Sequence, residues 1–232
     1  MELLKTGILG LDEMLGGGVP AGHIMAVLGP PGTGKSTFAL QFICAGLQNN
    51  ESCVYLSIEE RVEDIIKTAD IFGWDLKPHI KNKKLALVHL STLNLKSMIE
   101  RIENDLPKLF KTFEIRRLAM DPITLFEMIH DNEAERRDHL FNLAQIIKST
   151  GVTAVLTSEI SKESPYYSRY GLIEYIADGV VILRQARTAD VGAVTTVIEV
   201  SKMRHIEHSK EIKPYNITKG GIVVHSGSGV FL

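Results

Sequence analysis

Residues Gly29-Pro-Pro-Gly-Thr-Gly-Lys-Ser-Thr37 constrain this chain more than any other stretch. They satisfy the pattern G-x-x-x-x-G-K-[ST] at every specified position. Gly29, Gly32 and Gly34 leave backbone N–H groups uncovered by any Cβ. Such a bend wraps a polyphosphate and presents a helix N-terminus to it. Lys35 would bring positive charge to the β- and γ-phosphates, and the Ser36 hydroxyl would ligate Mg²⁺. Pro30, Pro31 and Thr33 fill the open positions of the bend, and Thr37 adds a second hydroxyl residue. The bland alternative is a Gly/Pro-rich turn that matches by chance. Context argues against it, because the apolar run His23–Leu28 predicts a buried strand before the bend and Thr37–Leu47 has helical apolar spacing after it.

The same alternation continues. Cys53–Ile58, Leu85–Leu90, Arg117–Asp121 and Thr153–Ser158 read as strands. Arg61–Phe72, Leu95–Phe110 (with Met98, Ile99 and Ile102 on its apolar side) and Glu133–Ser149 read as helices, the last stopped by Gly151. This predicts an α/β fold with a mainly parallel central sheet flanked by helices. Past residue 178 the rhythm changes. Gly179–Arg184, Ala193–Lys202, Tyr215–Thr218 and Gly221–Val224 are strand runs without helices between them, expected as C-terminal antiparallel hairpins. With no linker or repeat, residues 1–232 are expected to form one domain. Ser161–Gly171 is expected to be its least ordered stretch.

Composition narrows the function classes. A net charge of −2 offers no global attraction to nucleic acid or acidic membrane. Cys44 and Cys53 have no metal-ligand spacing and read as small core residues in a reducing compartment. No apolar stretch is long enough to span a membrane, and the opening Met1-Glu-Leu-Leu-Lys-Thr lacks the pattern of a secretory signal, so the chain reads as cytoplasmic.

Nucleotide hydrolysis also needs a carboxylate near the metal and a group that orients water. Asp121 ends an apolar strand, where ligand crevices of open α/β sheets lie, and is the candidate second Mg²⁺ residue. Its alternative is a helix N-cap. Glu59 and Glu60 directly follow another strand. From spacing alone they are equally a catalytic pair or a solvated acidic turn before a helix.

Five stretches together resemble the RecA-fold branch of P-loop NTPases that contains the circadian-clock ATPase KaiC and its single-domain archaeal and bacterial relatives. They are Thr6–Gly22, the phosphate loop, Leu56-Ser-Ile-Glu-Glu-Arg61, Ile176–Arg184 and Lys202-Met-Arg-His-Ile-Glu-His208. The resemblance implies Mg-ATP and ADP as ligands and Glu59 and Glu60 as a catalytic pair assisting Lys35. It further implies a homo-oligomer, hexameric in this family, in which Lys202, Arg204 and His208 reach a neighbour's nucleotide as an arginine finger does. Without it, Lys202 and Arg204 read as a basic edge strand, two apart and therefore on one face. The chain departs from the resemblance in three places. Glu174-Tyr175 stands where the clock protein's autokinase half has a Ser–Thr doublet, so ATPase rather than autokinase activity is expected. His205 replaces a usual glycine, and Pro122 replaces a small hydroxyl residue.

Three functions compete: a nucleotide-driven switch or regulator, a DNA-handling recombinase paralogue, and an ATP-binding signalling scaffold that recruits a protein partner. The DNA reading would use two loops, Ile123–Asp131, which has no lysine or arginine, and Ser161–Gly171, which has Lys162, Arg169 and the stacking candidates Tyr166, Tyr167 and Tyr170. No basic stripe supports it. An adenine ligand follows from the resemblance, there being no guanine-reading Asn-Lys-x-Asp stretch.

Overall fold

The computed structural model describes residues 1–90, 95–187 and 194–228. In chain order the elements are β1 (Leu3–Leu4), α1 (Leu11–Met14), β2 (Val19–Pro20), β3 (Ile24–Leu28), α2 (Lys35–Gln48), β4 (Ser52–Ser57), α3 (Val62–Ile71), α4 (Lys77–Lys81), β5 (Leu85–His89) and α5 (Leu95–Thr112). They continue with β6 (Ile115–Asp121), α6 (Ile123–Glu127), α7 (Glu133–Thr150), β7 (Thr153–Ser158), α8 (Ile173–Ile176), β8 (Gly179–Arg187), β9 (Val194–Met203), β10 (Lys213–Thr218) and β11 (Gly221–Val224).

Nine strands form one sheet in the order β11-β10-β9-β8-β3-β7-β6-β4-β5. From β8 to β5 all neighbours run parallel. The strands β9, β10 and β11 extend it antiparallel. The C-terminal hairpins are thus present, with one refinement. Gly179–Arg184 lies in β8, which pairs parallel with β3 before turning into the β9 hairpin, so it completes the parallel part rather than merely extending it. Of the expected strand Ala193–Lys202, Ala193 lies outside the described residues, as do the side chains of Met98, Ile99 and Ile102.

The sheet is covered on both faces, and β3 shows why its sequence is apolar throughout. Met25 and Val27 point into one core with Phe38, Phe42 and Ile43 of α2 and Ile65 of α3. Ile24, Ala26 and Leu28 point into the other, with Leu106 and Phe110 of α5, Leu140 and Leu143 of α7 and Ile173 of α8. All five β3 side chains are fully buried. Period-two alternation on a strand between two helical layers requires that composition. Each such aliphatic side chain contributes ~1.5–3 kcal/mol by leaving water.

Two expected loops prove ordered. Ile123–Asp131 is helical over α6 and buries Ile123 and Phe126, so most of it is core rather than a free loop. Ser161–Gly171 is tied at its base: Ser161 N–H donates to the Tyr167 carbonyl at 2.8 Å, Arg169 N–H to the Glu159 carbonyl at 2.9 Å, and Ser168 is fully buried. The turn at His205 has φ +69°, the left-handed geometry that a glycine would have supplied freely.

Candidate nucleotide-binding site

The phosphate loop leaves the carboxyl end of β3 and enters α2. Gly32 and Gly34 have φ of +79° and +87°, which only glycine adopts without strain. Gly34 occupies the N-cap of α2 and no side chain caps the helix, so its first-turn N–H groups face the loop. A helix of this length directs partial positive charge there, which is what a bound phosphate requires. The loop is braced from within and from below. Thr33 Oγ1 donates to the Pro30 carbonyl at 2.8 Å, and the buried Tyr215 hydroxyl of β10 donates to the Thr33 carbonyl at 2.6 Å. Lys35 Nζ donates to the Pro30 carbonyl at 3.2 Å, lying back on the loop. Burial pulls the Lys35 ammonium below the usual lysine range, opposed by the carboxylates of Asp121, Glu159 and Glu59. Those same carboxylates mark which acids converge on the loop.

Asp121 ends β6 and is buried. Its Oδ2 accepts from the Tyr55 hydroxyl at 2.6 Å, and its Oδ1 accepts from the Thr157 hydroxyl. The neighbouring strands β4 and β7 therefore fix the carboxylate, and it caps no helix: α6 begins after Pro122, with no side-chain cap bond. Each oxygen keeps a further lone pair, so Asp121 can still accept a metal-bound water. Among the described residues no three His, Cys, Asp or Glu side chains converge as a metal cage. A single carboxylate with the Ser36 hydroxyl would fit Mg²⁺, which keeps several waters and needs few protein ligands.

Glu59 and Glu60 are exposed at the carboxyl end of β4. The Glu60 N–H donates to Ser57 Oγ at 2.8 Å, which turns the chain back over the strand end. Partial burial raises the Glu60 carboxyl above the usual glutamate range, and the charges of Asp121, Glu59 and Asp64 push it further in the same direction. A carboxylate whose basicity is raised beside Asp121 suits a group that accepts a proton from water.

Lys202, Arg204 and His208 do not join this cluster within one chain. Lys202 Nζ donates to the carbonyls of Glu174 and Ala177 at 2.9 and 2.7 Å. Arg204 Nη1 donates to Asp178 Oδ1 at 3.1 Å, and Asp178 Oδ2 accepts from the Ile24 N–H at the start of β3. Both cations therefore meet the segment entering β8, at the end of the sheet opposite the phosphate loop. They do so from different settings, because β9 ends at Met203 and Arg204 lies in the following turn rather than on the same strand face. Burial and then the Arg204 charge lower the Lys202 ammonium. Asp178, though burial would raise it, is held below the usual carboxylate range by Lys148, the Ile24 N–H and Arg204. His208 Nδ1 contacts the Ser209 carbonyl at 2.9 Å, and the Ser209 N–H donates to the Met14 carbonyl at 2.7 Å.

Of the residues considered for DNA, Tyr166 and Tyr167 are exposed, whereas the Tyr170 ring lies 3.9 Å from the Arg136 guanidinium. Sequence reasoning missed four residues of the site: Tyr55, Thr157, Tyr215 and Glu159. Glu159 had a usable signal, since it follows the end of β7 as Glu59 follows β4. The hydroxyls had none, because only the register of neighbouring strands brings them to Asp121 and Thr33. Thr124, two residues after Pro122, accepts through Oγ1 from the Glu159 N–H at 2.9 Å.

A family model described as "ATPase: KaiC" matches residues 4–229. The circadian clock oscillator protein KaiC of Synechococcus elongatus is 34% identical over 230 residues, covering 94% of this chain and 43% of that protein. The circadian clock protein KaiC3 of Synechocystis is 33% identical over 237 residues, covering 97% of this chain and 46% of that protein. The chain thus spans less than half the length of these curated relatives. The crystal structure of a KaiC-like protein from the hyperthermophilic archaeon Pyrococcus horikoshii OT3 superimposes with a TM-score of 0.85 at 33% identity, covering 97% of this chain and 99% of that one.

Proposed function

The chain belongs to the KaiC ATPase family, and from that premise we propose that it hydrolyses Mg-ATP as a homo-oligomeric, nucleotide-driven switch, with each active site closed by a neighbouring subunit. The observation that carries this reading is the separation of its two halves. The phosphate loop, Asp121 and the Glu59–Glu60 pair gather at the carboxyl ends of the parallel strands, while Lys202 and Arg204 are held at the opposite end by Glu174, Ala177 and Asp178. Cations so placed cannot serve their own loop across the length of β3, ~16 Å at strand rise. They are suited to a neighbour stacked end against end in a closed ring.

In this mechanism Ser36 and Asp121 would hold Mg²⁺, which would supply charge neutralisation at the polyphosphate. Lys35 leaves the Pro30 carbonyl for the γ-phosphate. Glu60, its basicity raised by burial and neighbouring carboxylates, accepts a proton from the attacking water, while Glu59 orients that water. The neighbour's Lys202 and Arg204 stabilise charge that develops during transfer.

The deciding experiment measures size with and without Mg-ATP alongside phosphate release. Glu59→Gln with Glu60→Gln should keep nucleotide binding and lose ~10²–10⁴-fold in turnover. Lys35→Ala should remove binding itself. Full turnover in the double variant would refute the assigned pair, and a strictly monomeric enzyme at full speed would refute the neighbour's part.

A further inference from the structure

His205 lies in the turn after β9 in a left-handed conformation, with φ +69°. A residue with a Cβ holds that conformation only where its surroundings over-determine it. Here its own ring supplies the constraint. His205 Nδ1 lies 2.9 Å from Nε2 of His23, 182 positions away, with the two ring planes at 88°. His23 Nδ1 lies 3.2 Å from the Ala21 carbonyl, which can only accept, so that nitrogen carries a proton. The Nε2 of a neutral His23 is then the acceptor and His205 Nδ1 the donor. The main chain of His23 is itself fixed, its carbonyl accepting from the Ala154 N–H of β7 at 2.9 Å.

The two histidines flank the Asp178 anchor. His23 precedes Ile24, whose N–H donates to Asp178 Oδ2 at 3.1 Å. His205 follows Arg204, whose N–H donates to the Asp178 carbonyl at 2.9 Å and whose Nη1 donates to Oδ1 at 3.1 Å. Asp178 grips the turn at Arg204, from the segment entering β8. The histidine bond grips it one residue later, from the segment entering β3. Fastenings on consecutive residues hold the backbone beneath Arg204 in one orientation, while the Arg204 side chain stays 44% exposed.

We propose that the His23–His205 bond positions Arg204 for the neighbouring subunit's nucleotide, and that adding a proton to each ring releases it. One proton is tolerated, because an imidazolium at His205 still donates from Nδ1 to a neutral His23. With both rings charged, every ring nitrogen is a donor, no lone pair remains for the bond, and two like charges face each other. The charged groups on the elements that meet here are Lys148 of α7, Glu174 of α8, Asp178 ahead of β8, Lys202 of β9, and Arg204 and Glu207 of the turn. Asp178 is already engaged by Lys148 and Arg204, at 2.9 and 3.1 Å, and the Glu174 carboxylate by Ser168. The proposal rests on the ATPase reading above and makes both histidines positioning residues, which act on turnover through Arg204.

The fastening is read first without turnover, by hydrogen exchange on the nucleotide-free protein at pH 7.5. The Arg204 N–H should exchange about fivefold faster in His23→Ala and in His205→Gly than in the parent, and within about twofold of it in His205→Asn. Asparagine tolerates a left-handed φ and places its carboxamide nitrogen where His205 has Nδ1. Parental exchange in both His23→Ala and His205→Gly would overturn the fastening. In phosphate release, His205→Gly should lose about tenfold in kcat with KM within about twofold, and His205→Asn should keep both. From pH 8 to pH 5.5 the parent should lose about fivefold relative to His205→Asn, a ratio from which the acid limb of Glu60 cancels. A glycine variant at full speed would overturn the positioning role, as would a ratio that stays flat with pH. No phosphate release from the parent would refute the ATPase reading itself, while the exchange measurement still decides the fastening.

Discussion

At the scale of single residues, the side chains that matter are those whose polarity and burial conflict. Glu127 of α6 is fully buried, and neither carboxylate oxygen has a hydrogen-bond partner among the described residues. Burial, helped by the Glu174 charge and opposed by Arg136 and Arg169, raises its carboxyl from 4.5 to about 8. The unfolded chain releases that proton near 4.5 and the folded chain near 8. The folded state therefore binds more protons across this window, and its stability falls as pH rises through it, then levels off. Glu127→Gln abolishes the slope. Urea melts at pH 5 and pH 8.5 should show the variant gaining on the parent by about 4 kcal/mol at most between the two; an equal gap at both pH values contradicts the assignment. Glu60 carries a kinetic counterpart. Because its carboxyl is raised and acts deprotonated, the acid limb of the pH–turnover profile should lie above the ordinary glutamate value of 4.5 and vanish in Glu60→Gln. Tyr55→Phe removes one of the two donors fixing Asp121. It should raise the Mg²⁺ concentration needed for half-maximal turnover several-fold, with little change at saturating metal.

At the scale of elements, the late antiparallel strands are what make the early phosphate loop rigid. β10 places Tyr215 beneath Thr33 and brings Ile217 within 2.7 Å of where a Cβ on Gly34 would sit. Tyr215→Phe leaves a buried carbonyl without its donor, a loss of ~1–3 kcal/mol in thermal or denaturant melts. It should also weaken nucleotide binding, whereas a phenylalanine elsewhere in the same hairpin should not. The parallel strands, the long helices and the loop itself were legible in the sequence because each rests on local pattern: apolar runs, 3.6-residue spacing, glycines at a bend. α6 and α8 were not, being too short to show a period, and their helicity depends on packing Phe126 and Ile173 into the core. The acids at strand ends stand out by position, which makes Asp121 and the Glu59–Glu60 pair candidates from sequence alone. Its supporting hydroxyls, Tyr55 and Thr157, depend on the pairing of β4 and β7 with β6, which no single segment encodes.

At the scale of the whole molecule, the two ends of the sheet have opposite characters, acids and an anion cradle at one and anchored cations at the other. Mixed populations give the sharpest test. Lys35→Ala subunits keep their cations but should not hold nucleotide, and Lys202→Ala subunits keep their phosphate loop but lack a cation. Each alone should be inactive or nearly so, and their mixture should regain a sizeable share of parental phosphate release. No gain on mixing would mean that the opposed ends do not meet between subunits.

The carboxamide of Gln41, in the middle of α2, has further reach. Its Nε2 donates to the carbonyls of Gly7 and Ile222 at 2.7 and 3.2 Å, and its Oε1 accepts from the Ile222 N–H at 2.7 Å. One side chain thus fastens the helix behind the cradle to residues 181 positions downstream. During synthesis that fastening must wait until β11 has left the ribosome, long after the glycine bend has emerged. A chain stalled with residue 210 at the tunnel exit should therefore hold no ATP, which makes nucleotide capture a sign that β11 is in place rather than a seed for the fold.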